Sequence, residues 1–168
     1  MPDSPPDSAI PWSPTPLDPA LKEALREYID LRQSSPNDPP PGLVSRLGAA
    51  DRPPAFRDLL LSMIRKRTLI DSHVCAAAGV DRRHYSKIRN QPDYHPTKQT
   101  VVSFAFALRL NLDDTRKLLR SAGYAFSNAS DFDLICSYFL EEKTWDPNLV
   151  NDALYAYRQP LICGVLLD

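Results

Sequence analysis

Proline is distributed very unevenly along this chain of 168 residues, and its distribution divides the chain into two parts. Thirteen of the seventeen prolines lie within residues 1–54, whereas four are spread over residues 55–168. A proline inside a helix removes a backbone hydrogen bond and clashes with the preceding turn, so the first part is poorly suited to a packed core. We therefore expect the hydrophobic core to be built from the second part.

The proline-rich part is predicted to be an arm of three segments. Residues 1–16 are rich in Pro, Ser and Asp and are expected to form a disordered tail. Residues 17–33 are predicted to form an amphipathic helix that Asp18 caps and Pro19 begins. Residues 34–54 are a Pro-rich linker. An isolated helix of this length is marginal in water, so it should pack either on the main domain or on a partner protein.

Residues 55–165 show helical periodicity and none of the alternation that is typical of strands. Polar residues suited to helix starts, or glycines suited to helix ends, separate the apolar segments. The predicted helices cover 55–67, 71–78 and 81–89, begin near Thr97 and at Asn111 or Leu112, and cover Phe132–Glu142 and Leu149–Tyr157. The expected caps are Asp81, Thr97 and either Ser130 or Asp131, and the expected helix ends are Gly79 and Gly123.

The sequence therefore predicts an all-α fold, a compact multi-helix bundle that contains a helix-turn-helix and carries a Pro-rich N-terminal arm. Cys75, Cys136 and Cys163 lie far apart in apolar stretches, which predicts buried thiols in a reducing compartment rather than a zinc ribbon or a disulfide framework. A secretory leader and a membrane-length apolar run are both lacking, so we expect a cytoplasmic protein with no membrane partner.

Charge is concentrated in the middle of the chain. Residues 55–125 contain thirteen Lys or Arg and six Asp or Glu, a net charge of +7, whereas residues 126–168 carry −5 and the whole chain −1. A basic middle between acidic ends indicates an anionic partner for the middle. The alternative is that the acidic ends dock onto the basic middle.

Residues 71–89 are predicted to form two short helices joined by a tight turn at Gly79–Val80, which is a helix-turn-helix arrangement. Val80, Tyr85 and Ile88 would fix the second helix in the core and leave a basic outer face. In a DNA-binding version the start of the second helix enters the major groove, where arginines pair with guanine or hold phosphates. The alternative is an ordinary solvated helix face.

The predicted DNA-contacting residues lie on that second helix and at the start of the next one, where free backbone amides attract anions. They are Arg82, Arg83, His84, Ser86, Lys87, Arg89, Thr97, Lys98 and Gln99. Tyr94, in the loop between these two helices, is expected either to pack back on the domain or to stack against a ligand.

The run from Gly79 to Leu119 resembles the Cro/CI-type (XRE-like) helix-turn-helix family. The matching segments are Gly79–Val80, Tyr85–Ile88, Pro96–Thr97, Val101–Leu108 and Leu110–Asp114. Together with the later segments AGYAFS, FDLI, NDALYAY and QPL, the sequence is similar to a bacterial subtype that also occurs appended to macro-domain (ADP-ribose-processing) proteins, although this chain has no macro domain. The resemblance implies a helix-turn-helix fold and a bacterial DNA-binding regulator, of the kind found in defence or stress operons.

The sequence departs from that family at two positions near the expected DNA surface. Asp71 stands where the family often has Gln, and Asp81 stands where Ser is frequent. Both suit helix starts, but each places a negative charge where a phosphate would approach.

The leading hypothesis is a transcription regulator that binds double-stranded DNA, sequence-specifically or through its backbone. The alternative is a non-enzymatic adaptor that reuses the same fold for protein interaction. A homodimer or a protein contact is expected through the C-terminal helices with the apolar 161–167 end, or through the 17–33 helix. No catalytic motif is present, and the spacing of His73, His84 and His95 fits no compact ligand set, so neither enzymatic activity nor a metal or cofactor is predicted.

Overall fold

A computed structural model of the chain describes residues 13–34 and 54–162. Those residues form helices and contain no strand, which confirms the predicted all-α class. The helices are α1 (Pro19–Ser34), α2 (Phe56–Lys66), α3 (Asp71–Ala77), α4 (Arg82–Asn90), α5 (Lys98–Ala107), α6 (Leu112–Ser121), α7 (Asp131–Glu141) and α8 (Pro147–Ala156). The predictions for the tail before residue 13, for residues 35–53 of the linker and for Cys163 lie outside the described residues.

Side-chain caps fix the helix starts at the expected positions. The Asp18 carboxylate accepts a hydrogen bond from the Ala20 amide at 2.8 Å, and the Asp81 carboxylate accepts one from the His84 amide at 2.7 Å. Such caps satisfy amides that would otherwise lack a partner in the first turn. Of the two candidates for α7, Ser130 is the cap, and α7 therefore begins one residue earlier than predicted.

Asp146 plays the same part for α8, because its side chain accepts a hydrogen bond from the Asn148 amide. With Pro147 at the first helical position, α8 begins two residues before the predicted start at Leu149. Asn111 caps α6, so Leu112 is the first residue of that helix.

Six helices end on a residue in the left-handed backbone conformation, and only two of those residues are glycines. Gly79 follows α3 with φ 63° and Gly123 follows α6 with φ 81°. The other four, with φ between 50° and 55°, are Thr68, Arg109, Lys143 and Arg158. After α3, for example, the Gly79 amide bonds to the Ala76 carbonyl at 3.0 Å and the Val80 amide bonds to the Cys75 carbonyl at 2.9 Å. This pattern satisfies the last carbonyls of each helix and turns the chain sharply.

These left-handed positions give a stability prediction with opposite signs at two sites. Lys143→Gly should raise the free energy of unfolding by about 0.5–1 kcal/mol, because glycine avoids the left-handed strain that a Cβ causes. Gly79→Ala should lower it by about 1 kcal/mol for the same reason. Urea denaturation of both variants measures the two changes. A loss of stability in Lys143→Gly would contradict the strain argument.

The core lies around α5 and α7. All residues from Thr100 to Phe106 in α5 are buried, and α7 is buried from Phe132 to Ser137. Around them α3 and α6 pack on α5, α2 packs on α6, and α6 and α8 pack on α7. A helix that is apolar on nearly all sides belongs in the interior. The other helices surround these two, and they are amphipathic because one side of each faces the core and the other faces solvent.

The amphipathic helix α1 packs on α7 of its own chain, which is the first of the two predicted alternatives. Leu25 and Ile29 are buried in the contact, and the rings of Tyr28 and Tyr138 meet edge to face with centroids 5.3 Å apart. At its end Arg32 donates to Glu141 at 3.2 Å. Within the described ranges every helix is too short or too polar to traverse a lipid bilayer.

Candidate nucleic-acid interface

The second and third helices of the main domain, α3 and α4, are joined by the four residues Ala78 to Asp81. Val80, Tyr85 and Ile88 are buried, as predicted, and hold α4 against the core. The Tyr85 ring lies 6.4 Å from that of Phe104, a fully buried residue of α5. Because its inner face is anchored in this way, α4 presents the rest of its surface outward.

The exposed surface of α4 carries three cations without internal partners. Arg82, Arg83 and Lys87 are all exposed. None of their side chains makes a hydrogen bond or an ion pair to any other residue of the described chain. Cations in this state keep their full charge for an external anion, whereas paired cations are already partly neutralised. We call these three residues the α4 basic face.

Two other predicted contact residues of α4 are engaged within the domain. His84 is half-buried, and its Nε2 lies 2.6 Å from the Tyr94 hydroxyl, with the two rings edge to face at 5.5 Å. Tyr94 therefore packs back on the domain, as the first of its two alternatives stated. The Ser86 hydroxyl accepts a hydrogen bond from the Asn90 side-chain amide at 3.0 Å. Base contacts by His84 or Ser86 would require these bonds to break.

Arg89 neutralises one of the two unfavourable aspartates. Its guanidinium donates to the Asp71 carboxylate at 3.3 Å, across the space between the end of α4 and the start of α3. The Asp81 carboxylate is occupied as the cap of α4. The negative charges noted in the sequence thus have identifiable partners inside the domain.

The second predicted phosphate site, at the start of α5, is also largely occupied. The Thr97 hydroxyl caps the helix by accepting from the Thr100 amide at 3.2 Å. The Lys98 ammonium donates to Asp133 Oδ2 at 2.6 Å, and the Asp133 side chain is only 1% exposed. Gln99 is half-exposed and is the one predicted residue of this group whose side chain is left without a hydrogen bond in the described chain.

Sequence reasoning missed Asp133 as the partner of Lys98. The residue reads as an ordinary acidic residue in the first turn of a helix. The available signal was its place within the apolar run FDLIC, since an aspartate in such a run needs a buried partner.

An open groove of about 630 Å³ lies between α3 and α4. Its lining includes Asp71, Ser72, Cys75, Arg82, Tyr85 and Arg89. Burial and the nearby Asp71 carboxylate raise the pKa of the Cys75 thiol to about 11, so this thiol stays protonated near neutral pH. The Tyr85 hydroxyl is buried without a hydrogen bond of normal geometry in the described chain, and burial and Asp71 raise its pKa as well.

An exposed apolar pair stands beside this groove, in the loop between α2 and α3. Leu69 is 41% exposed and Ile70 is 60% exposed. The basic run Arg65–Lys66–Arg67 precedes them, and all three of its residues are exposed. This loop leads directly into Asp71 and so borders the groove.

No family model, curated protein or solved structure matches this chain. Within residues 13–34 and 54–162, no three His, Cys, Asp or Glu side chains are grouped so that they could hold a metal ion.

Proposed function

We propose that this chain binds double-stranded DNA, with α3, its turn and α4 acting as a helix-turn-helix, and that it serves as a transcription regulator. The observation that carries the proposal is the α4 basic face, where Arg82, Arg83 and Lys87 are exposed and unpaired. A helix fits the major groove of B-DNA, and its first residues reach the base edges. Arg82 and Arg83 are the first two residues of α4.

In this proposal seven of the nine residues predicted from the sequence divide into two groups, and Arg89, which pairs with Asp71, and Gln99 belong to neither. Arg82, Arg83 and Lys87 make the direct contacts, because their charges are not used within the domain. His84, Ser86, Thr97 and Lys98 hold the surface in shape through their internal hydrogen bonds. Most protein–DNA hydrogen bonds go to the backbone, so the three free cations favour a strong backbone component in the binding.

The second candidate function is an adaptor that binds another protein through the same end of the domain. The exposed pair Leu69 and Ile70 favours it, since adjacent large apolar side chains at the surface are typical of protein contacts. The C-terminal helices favour it less, because α7 is largely buried and packs against both α1 and α8, and half of the residues of α8 are buried as well. A homodimer contact through them stays a prediction.

The experiment that tests the DNA proposal is a nuclear magnetic resonance titration of the ¹⁵N-labelled chain with a short duplex of mixed sequence. At 18.9 kDa the chain is small enough for its amide resonances to be resolved. We expect the shift changes to concentrate in residues 71–90 and in the side-chain resonances of Arg82 and Arg83. Changes confined to α7 and α8, or none at low salt, would contradict the proposal.

A further inference from the structure

The ion pair between Asp71 and Arg89 crosses the groove between α3 and α4. Asp71 is the first residue of α3 and Arg89 lies in the last turn of α4. Both line the groove, and their side chains are 36% and 58% exposed. The pair is therefore within reach of any ligand that approaches the α4 basic face.

Two acidic residues, Asp71 and Asp81, line this groove, and Asp71 is the one that forms an ion pair with a cation. The other one, Asp81, has its carboxylate oriented towards the His84 amide as a helix cap. The Tyr85 hydroxyl adds a second observation in the same groove, since it is a buried polar group without a hydrogen bond of normal geometry in the described chain. The Asp71 carboxylate lies beside this hydroxyl, so Asp71 is close to both Tyr85 and Arg89 in the groove.

We propose that Asp71 attenuates DNA binding by holding Arg89, and that a backbone phosphate of duplex DNA takes Arg89 from Asp71 when it enters the α3–α4 groove. This inference rests on the proposed function and names a residue that regulates the same site. In the bound state Arg89 becomes a fourth DNA-contacting cation beside Arg82, Arg83 and Lys87.

The exchange is physically favourable because the two ion pairs differ in kind. A solvent-exposed carboxylate pair such as Asp71–Arg89 contributes little to stability, so Arg89 can leave it at small cost. A guanidinium and a phosphate form short, charge-assisted hydrogen bonds that are frequently bidentate. The Asp71 carboxylate then remains close to the phosphate and repels it, which limits the gain.

The test is a fluorescence anisotropy titration of a labelled duplex with the full chain, repeated over a range of salt concentrations. Asp71→Asn removes the negative charge and releases Arg89. We expect about three-fold to ten-fold tighter binding, because neither the ion pair with Arg89 nor the repulsion between Asp71 and the phosphate opposes binding any longer. The slope of log K against log salt should stay close to that of the wild type, because Arg89 contacts a phosphate in both complexes and the number of phosphate contacts is the same.

Asp113→Asn is the matched control. It breaks another exposed ion pair, with Arg116 at 3.6 Å on α6, and changes the net charge by the same amount. Its affinity should change by less than about three-fold, because exposed charges farther than a Debye length from the duplex are screened. Asp71→Ser is a second variant that removes the same carboxylate. Circular dichroism melting verifies that each variant is folded.

The outcomes separate the inference from the proposed function. Asp71→Asn combined with Arg89→Ala should lose the gain in affinity, and its slope should be shallower than that of Asp71→Asn by about 0.9, because one phosphate contact is removed. If Asp71→Asn binds no more tightly than Asp113→Asn, or if the double variant keeps the full gain, the inference is overturned while wild-type binding still supports the proposed function. If neither the wild type nor Asp71→Asn binds duplex at low salt, the proposed function itself fails.

Discussion

Replacing Lys98 with methionine is expected to lower the free energy of unfolding by about 3 kcal/mol, because it leaves the Asp133 carboxylate buried without its cation. Asp133 Oδ2 accepts from the Lys98 ammonium at 2.6 Å and from the Ser127 amide at 2.8 Å. Asp133 Oδ1 is already buried without a hydrogen bond in the described chain. Removal of Lys98 therefore takes away the only positive charge that pairs with this carboxylate in the described chain. Urea denaturation measures the resulting decrease in the free energy of unfolding.

Two further variants determine whether the buried carboxylate is the cause. Lys117→Met breaks another lysine–aspartate ion pair, 3.1 Å to Asp114, but the Lys117 side chain is 64% exposed. It should cost less than about 1 kcal/mol, as exposed pairs do. Adding Asp133→Asn to Lys98→Met should recover part of the loss, because the buried charge disappears while an oxygen remains for the Ser127 amide. Equal losses in Lys98→Met and Lys117→Met would contradict the assigned role.

Replacing Arg82 and Arg83 together with alanine is expected to weaken duplex binding by about 30-fold to 1,000-fold, which corresponds to about 1–2 kcal/mol for each contact. The slope of log K against log salt should decrease by up to about two, since each lost phosphate contact removes about 0.9. Folding should be unaffected, because both side chains are exposed and make no internal hydrogen bond or ion pair in the described chain. Anisotropy titration with a labelled duplex measures both quantities.

The matched control changes two other exposed arginines, Arg116 and Arg120 of α6. Arg116→Ala with Arg120→Ala lowers the net charge by the same amount but lies outside the proposed interface. Its affinity should stay within about three-fold of the wild type, apart from the weak long-range attraction that salt screens. Equal losses in the two double variants would mean that overall charge, and not the α4 basic face, determines binding.

The helices of the described chain were predictable because their signals are local. Asp18, Asp81 and Thr97 cap helices where the sequence placed them, and Gly79 and Gly123 end helices as expected. The left-handed ends at Arg109 and Lys143 were not predictable, because arginine and lysine are not typical of that conformation. There the surrounding packing imposes a backbone that the residue type disfavours.

The candidate site was predictable in composition but not in its pairing. The sequence identified the basic residues of α4 and the two unfavourable aspartates. It could not show that Arg89 pairs with Asp71, eighteen positions earlier in the chain, or that Lys98 pairs with Asp133, thirty-five positions later. Such pairs depend on which helices meet in three dimensions, and local periodicity does not carry that information. Of the cations in the predicted site, the structure leaves Arg82, Arg83 and Lys87 without an internal partner in the described chain.

The most direct test of the central claim is the salt dependence of duplex affinity for the unmodified chain, measured from about 50 to 200 mM. Three to four cations at the interface predict a linear fall of log K with log salt and a slope of about −3, at 0.9 for each phosphate contact. Saturable binding with that slope would support DNA recognition by the α4 basic face. The absence of binding at the lowest salt concentration, or an affinity that salt does not change, would contradict it.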